Sequence, residues 1–280
     1  MSSIRMGETP LRVIPPVAVT RPWRSVAGSG SIHIIERHAR AYRHMWLMLA
    51  SGVAEPLFYL FSLGVGLGHL VGPVTGPGGE KVTFVAFVAP ALLANATMQG
   101  AITDSTFNVY FLLKFAKAYD AALATPMGPT DVTLGQIAWA VIRAAMYAVA
   151  FMLVMAAVGL LRTPWAALEL AVVVLTGFAF AAVGMAATTF MRSWQDFEYI
   201  TLLTMPLFLF SATFYPLSVY PRWLQFVVEW TPLYQAVTLM RGLALGVVGP
   251  GLLWHVAYLG AMGVAGLFVA GRRVRRLLLK

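Results

Sequence analysis

Five ionisable side chains stand inside stretches otherwise apolar enough to lie in a membrane: Glu55, Asp104, Arg143, Glu169 and Glu198. Each is costly in hydrocarbon, so each must face protein or water, pair with another group, or take part in a polar pathway. Arg143 and Glu198 fall at similar depth, toward the inner ends of their stretches, and are expected to pair. Glu55 directly precedes Pro56, whose ring breaks regular hydrogen bonding to the preceding turn. A carboxylate beside a freed carbonyl suits a kink stabiliser or a gate equally well. Asp104 is open between the same two roles, and Glu169 is expected to snorkel at the outer surface.

Several chemistries lack their residues. There is no Gly-x-x-x-x-Gly-Lys-Ser/Thr loop to cradle ATP phosphates, no His-Glu-x-x-His and no Gly-x-Ser-x-Gly. Gly64-Val65-Gly66-Leu67-Gly68 does not match a dinucleotide fingerprint; its glycines suit close helix approach. The five histidines have no zinc spacing, and His33 and His38 are expected at an interface. With no cysteine, thiolate catalysis and disulfides are excluded. The chain is expected to hold no cofactor, no metal and no catalytic residues.

The elements that position these charges follow from composition. The chain has 280 residues, 59% hydrophobic and 11% charged, where a soluble domain carries about 25% charged residues. The expected fold is an all-α integral membrane protein of six transmembrane helices, spanning about 45–71, 84–112, 136–161, 167–191, 197–215 and 251–271. Residues 1–31, with four prolines, are expected to be a flexible cytoplasmic arm ahead of a membrane domain over 32–280. Residues 32–44 mix apolar and basic positions as an N-terminal interfacial helix would; a cytosolic extension of the first span fits equally. Residues 216–250 are too broken by proline to span and too apolar for a free loop, so half-helices buried against protein are expected.

Charge sets the orientation. With the N-terminus inside, the inner segments hold fifteen Lys and Arg residues and the outer segments four. Both termini are therefore expected in the cytoplasm, the chain being multi-pass in the inner (plasma) membrane. The net charge of +9 reflects this topology rather than nucleic-acid binding. Between spans 2 and 3, residues 115–124 form a short helix by pattern, stopped before Pro126. The residues alone leave open whether it docks another subunit or is an ordinary solvated loop.

Three segments carry a family resemblance. Ala54-Glu55-Pro56-Leu57-Phe58-Tyr59-Leu60 resembles the first-span motif of the NodJ-like permeases. Asp120-Ala121-Ala122-Leu123-Ala124-Thr125-Pro126-Met127, followed by Asp131 to Gln136, resembles their coupling loop. Phe210 to Pro216, then Pro221-x-Trp223-Leu224, Thr231-Pro232-Leu233-Tyr234 and Met240-Arg241, resembles the signature after span 5 of type-2 ABC exporter permeases. Ala212 stands where many relatives have glycine.

The resemblance implies a re-entrant hairpin between spans 5 and 6, marked here by Phe214, Pro216, Pro221, Pro232 and Arg241. It implies two permeases, identical or paralogous, with two ATPase subunits that bind the ATP and Mg. It implies docking of the ATPase on Tyr119, Asp120, Leu123, Ala124, Thr125, Pro126 and Met127. Relatives move lipo-oligosaccharides, drugs, glycolipids or polysaccharides outward, so the expected cargo is amphiphilic, lipid-, glycolipid- or drug-like.

An ion-coupled secondary transporter would use Glu55, Asp104 and Arg143, but such folds commonly show internal repeats and none is visible. A membrane enzyme on a lipid-linked substrate would need converging acid, base or metal ligands, which the histidines do not supply. The topology has a direct check, because the chain has no cysteine. A Gly78→Cys variant should be labelled by an impermeant maleimide from outside the cell. Labelling only from the cytoplasmic side would overturn the orientation.

Overall fold

The structure is a computed structural model that describes residues 29–42, 54, 57–114, 128–161 and 163–278. Its helices are α1 (Ser29–Tyr42), α2 (57–71), α3 (Phe84–Lys114), α4 (Pro129–Ala157), α5 (Pro164–Thr188), α6 (Phe197–Leu209), α7 (Arg222–Glu229), α8 (Pro232–Leu245) and α9 (Leu252–Leu278). Four of them, α3, α4, α5 and α9, are long and apolar enough to cross a membrane. The first expected span lies partly outside the described residues. The fifth is shorter than its apolar stretch suggests. Helix α6 has 13 residues, about 20 Å at 1.5 Å per residue, against a hydrocarbon core of about 30 Å.

Helix α5 is the hub, packed on α3, α4 and α9. Small residues make that possible. A Cβ on Gly266 of α9 would lie 2.8 Å from the Val183 nitrogen and 2.9 Å from the Ala182 carbonyl carbon of α5. One on Gly263 would meet the Phe178 ring at 2.4 Å. Lipid tails are as apolar as leucine, so close backbone approach and the dispersion it brings hold membrane helices together. Alanines dominate the sealed face of α3, with Ala89, Ala91, Ala94 and Ala101 fully or nearly fully buried.

Helix boundaries differ from expectation where polar residues sit at a helix end. Helix α4 starts at Pro129, not 136. Pro129 occupies the first turn, where its missing N–H costs nothing, and the Asp131 carboxylate accepts from the Gly128 amide at 3.1 Å. Residues 129–135 therefore belong to the helix and not to a connecting loop. Their polar character is matched by α1, which lies against them. A Cβ on Gly135 would fall 2.9 Å from Cβ of Ile34, so the glycine sets the α1–α4 spacing. Helix α9 likewise runs beyond 271. Its Arg275 and Arg276 lie in the last turn, where cations complement the helix dipole.

Residues 72–83 form a small antiparallel hairpin, Val74 opposite Val82 and Thr75 opposite Lys81. Between α6 and α8 the chain is irregular, with α7 as a short amphipathic helix. Two short helices stand where half-helices are expected, and α8 is buried against α3 through Leu233, Val237 and Met240.

Arg241 organises the irregular stretch. Its Nε donates to the Phe87 carbonyl at 3.0 Å, and its Nη2 to the carbonyls of Ala212 (2.9 Å) and Thr213 (3.3 Å). The guanidinium also lies 3.7 Å over the Phe87 ring, a cation–π contact. Ala212 sits at φ 55°, in the left-handed region. This explains the glycine expected there: a Cβ in that conformation costs about 1 kcal/mol or more. Ala212→Gly should therefore raise stability by about 1 kcal/mol, read as a higher Tm of the detergent-solubilised protein. An unchanged or lower Tm would place the strain elsewhere.

Candidate functional site: a groove along α6 and its polar anchor

Helix α3 does not run regularly through the membrane region. Over Asp104–Asn108 it widens into a π-turn, a local insertion that frees one backbone carbonyl and re-aims the side chains beyond it. The neighbouring helix compensates. The Thr188 hydroxyl of α5 donates to the Ser105 carbonyl at 3.0 Å. Gly184, one turn earlier, leaves room for the bulge; a Cβ there would meet Ser105 Oγ at 2.2 Å.

The π-turn has two consequences. On one side it presents Asp104 to α4, where Arg143 Nη1 lies 2.6 Å from Asp104 Oδ1. The carboxylate is 3% exposed and the guanidinium 14%, so this pair is sealed. The expected pairing of Arg143 with Glu198 is therefore corrected. Arg143 turns inward between α3 and α4, and Glu198 is exposed on the first turn of α6. Similar depth along the membrane does not bring two helix faces together.

On the other side the π-turn presents Phe107 to α6. Its ring stacks on Phe197 at 4.1 Å and meets Trp194 edge-on at 5.9 Å. Tyr110, one helical turn on, packs on Phe197 at 5.2 Å. Asp196 holds this corner. Its carboxylate accepts from the Arg192 and Ser193 amides at 2.7 and 3.1 Å. Those amide bonds keep its carboxyl below the ordinary carboxylate range, so it is ionised at neutral pH.

Above this aromatic corner runs a groove of about 630 Å³ along α6. Phe107, Phe197, Leu202 and Met205 give it apolar walls, and Glu198 and Thr201 supply polar groups at one end. Such a shape, mostly apolar with a few polar groups, suits an amphiphile. Helix α6 itself packs lightly on the rest of the described chain, and Tyr199, Leu202, Leu203 and Met205 are 63–68% exposed.

A second polar cluster, not foreseen from sequence, locks α1 to α4. His38 is buried, donates from Nε2 to Gln136 Oε1 at 3.1 Å, and stacks on Trp139 at 5.3 Å. Burial first, then the Arg37 charge, lowers its pKa to about 4, so the imidazole is neutral at pH 7. His33 is exposed, whereas His38, expected beside it at an interface, is buried because α1 packs that face on α4. The i, i+4 spacing of Ile34 and His38 was a usable sign that both share the α4-facing side. Glu169 does not snorkel: it is fully buried on the second turn of α5.

The remaining expected site residues divide cleanly. Pro216, Pro221 and Pro232 each stand at the start of a short helix, and Phe214 packs on Phe208 at 5.2 Å. Glu55 and the docking segment Tyr119, Asp120, Leu123, Ala124, Thr125, Pro126 and Met127 lie outside the described residues. Among the described residues no three His, Asp or Glu side chains cluster as metal ligands.

Membrane-length helices, a hairpin, two short helices after α6 and an apolar groove define a helical polytopic membrane protein. Residues 32–245 match the ABC-2 type transporter family. Nodulation protein J of Rhizobium leguminosarum bv. trifolii is 33% identical over 83% of this chain and 87% of its own length. Nodulation protein J of Sinorhizobium fredii is 31% identical over 94% and 97%, and that of Rhizobium meliloti 30% over 89% and 94%. The chain belongs to the ABC-2 type transporter family. Within it, the chain is a type-2 ABC permease similar to the nodulation protein J group.

The sealed ion pair can be tested by a double-mutant cycle. Arg143→Met strands a buried carboxylate and should cost about 3–5 kcal/mol, whereas Asp104→Asn combined with Arg143→Met should cost clearly less. Thermal unfolding in detergent reads both. Additive losses from the two single changes would mean the pair is not coupled.

Proposed function

We propose that this permease forms the membrane path of an ATP-driven exporter that moves an amphiphilic lipid-, glycolipid- or drug-like cargo outward. A separate cytoplasmic ATPase would bind the ATP and Mg, two copies per complex. The observation that supports this reading best is the α6 groove. An apolar trough of about 630 Å³, with Glu198 at one end, matches a cargo with an apolar body and a polar head.

Helix α6 packs lightly on the rest of the described chain and leaves an exposed apolar face of Tyr199, Leu202, Leu203 and Met205. We assign it to a second permease, the same chain or a paralogue, so that two grooves face one path. In this reading the chain has six spans with α7 and α8 as a re-entrant hairpin, as the family resemblance implies, and the basic asymmetry of the sequence supports cytoplasmic termini. Asp104 and Arg143 act in this reading as the brace that holds the π-turn, and Glu198 as the polar end of the groove. Glu55 would stabilise the kink at Pro56 or contact cargo; Glu55→Gln separates these, since only a charge-dependent contact fails on that change.

The ATPase would grip the segment 119–127. Leu123 and Tyr119 supply apolar contact and Asp120 an orienting polar one. The test is co-purification with the ATPase, followed by ATP turnover in vesicles containing candidate glycolipids. Leu123→Asp should reduce the yield of complex at least about tenfold, because a charge buried in an apolar contact costs well over 1.4 kcal/mol, while the isolated permease keeps its Tm. Normal complex yield and cargo-stimulated ATP turnover in that variant would refute the docking assignment.

A further inference from the structure

At the opposite end of the helices from the aromatic corner lies a second cavity, of about 160 Å³. It is enclosed by the hairpin, the start of α3, the irregular stretch after α6, and α8. Arg241 lines it, with Tyr234, Thr238 and Thr75 contributing hydroxyls and Phe87 and Pro216 apolar wall.

Arg241 is 6% exposed. A guanidinium carries five N–H groups. Three are taken by the carbonyls of Phe87, Ala212 and Thr213. The two on Nη1 have no hydrogen-bond partner among the described residues, and that nitrogen is not sealed from solvent. No carboxylate pairs with Arg241 among the described residues. None of the residues lining the cavity is acidic. Three carbonyl dipoles and one ring face ease the burial of this cation but do not neutralise it, and a buried charge without a counter-charge is costly.

We propose that this cavity binds a phosphate group, held by the free edge of Arg241 and the hydroxyls of Tyr234 and Thr238. The planar fork of arginine suits oxyanions. A tetrahedral oxyanion accepts hydrogen bonds from several directions at once, as a cation on one wall and hydroxyls on others require. The volume corresponds to about five waters at ~30 Å³ each, which admits a headgroup-sized anion. The source is either phosphate in solution or a phospholipid headgroup from the adjoining leaflet. A bound anion would tie Arg241, and through it the turn at Ala212, to the occupancy of the site. This assignment does not depend on the transport reading.

The test uses the full-length permease in detergent. Tm is followed during titration with sodium phosphate against sodium chloride at matched ionic strength, and separately with dihexanoylphosphatidic acid against a neutral short-chain detergent. A saturable rise with inorganic phosphate assigns the site to phosphate in solution; a rise with the short-chain lipid alone assigns it to a headgroup. Thr238→Leu fills the cavity and leaves the three carbonyl bonds of Arg241 in place. It should keep the ligand-free Tm and weaken the apparent affinity about tenfold or more. Arg241→Lys, which keeps the charge and loses the fork, should abolish saturation. No saturable rise with either probe, or the wild-type rise in Thr238→Leu, would overturn the proposal.

Discussion

In hydrocarbon every backbone N–H and C=O needs a partner within the protein, and the architecture of this permease depends on how that demand is met where helices break. The break at the π-turn of α3 is met by the Thr188 hydroxyl on the Ser105 carbonyl. The break after α6 is met by Arg241 on the carbonyls of Ala212 and Thr213, by the Ser211 hydroxyl on the Phe208 carbonyl at 3.2 Å and by the Tyr220 hydroxyl on the Leu209 carbonyl at 3.3 Å. In both places a side chain from a distant helix takes over a bond that the local helix has given up. Both irregular segments are thereby pinned by tertiary contacts rather than by their own turns.

The same two breaks shape the working parts. The π-turn sends Asp104 to one side and Phe107 to the other, so one local insertion builds both the sealed brace with Arg143 and the aromatic corner of the groove. The stop at Leu209 makes α6 short and lets the chain fold back as α7 and α8. Meanwhile α5 is gripped on several sides through Gly184, Ala182 and Val183, with Gly263 and Gly266 of α9 against it. The result is a rigid bundle of α3, α4, α5 and α9 with α6 lying lightly at its edge. Elements that move are drawn from the weakly packed parts of a structure, and α6 is also the helix that lines the groove.

Near the start of α4 a separate device ties α1 to the bundle. Gly135 lets α1 approach until Ile34 is buried, and the His38–Gln136 bond and Trp139 stack fix its register. Helix α4 therefore joins this surface helix to the Asp104–Arg143 brace about two turns away along the same face.

The sequence by itself determined the medium and the family. Long apolar runs need lipid, and the proline spacing from Pro216 to Pro232 with Arg241 marks a specific signature; the basic asymmetry of fifteen against four carries an expected direction. These are properties of single segments, readable one helix at a time. The family resemblance noted Ala212 where many relatives have glycine, and the structure puts that residue at φ 55°. What only the tertiary structure decided is which helix faces meet. Glu198 was the expected partner of Arg143 by depth; the π-turn presents Asp104 to it instead, and no periodicity of 3.6 foretells an inserted residue. Asp131 looked like loop because it is polar, and is helical because its carboxylate accepts from the Gly128 amide at the helix start. Arg241 looked like one more outer basic residue. It became the clamp of the broken segment because carbonyls from residues 87, 212 and 213 converge on it, a juxtaposition that exists only once the chain has folded.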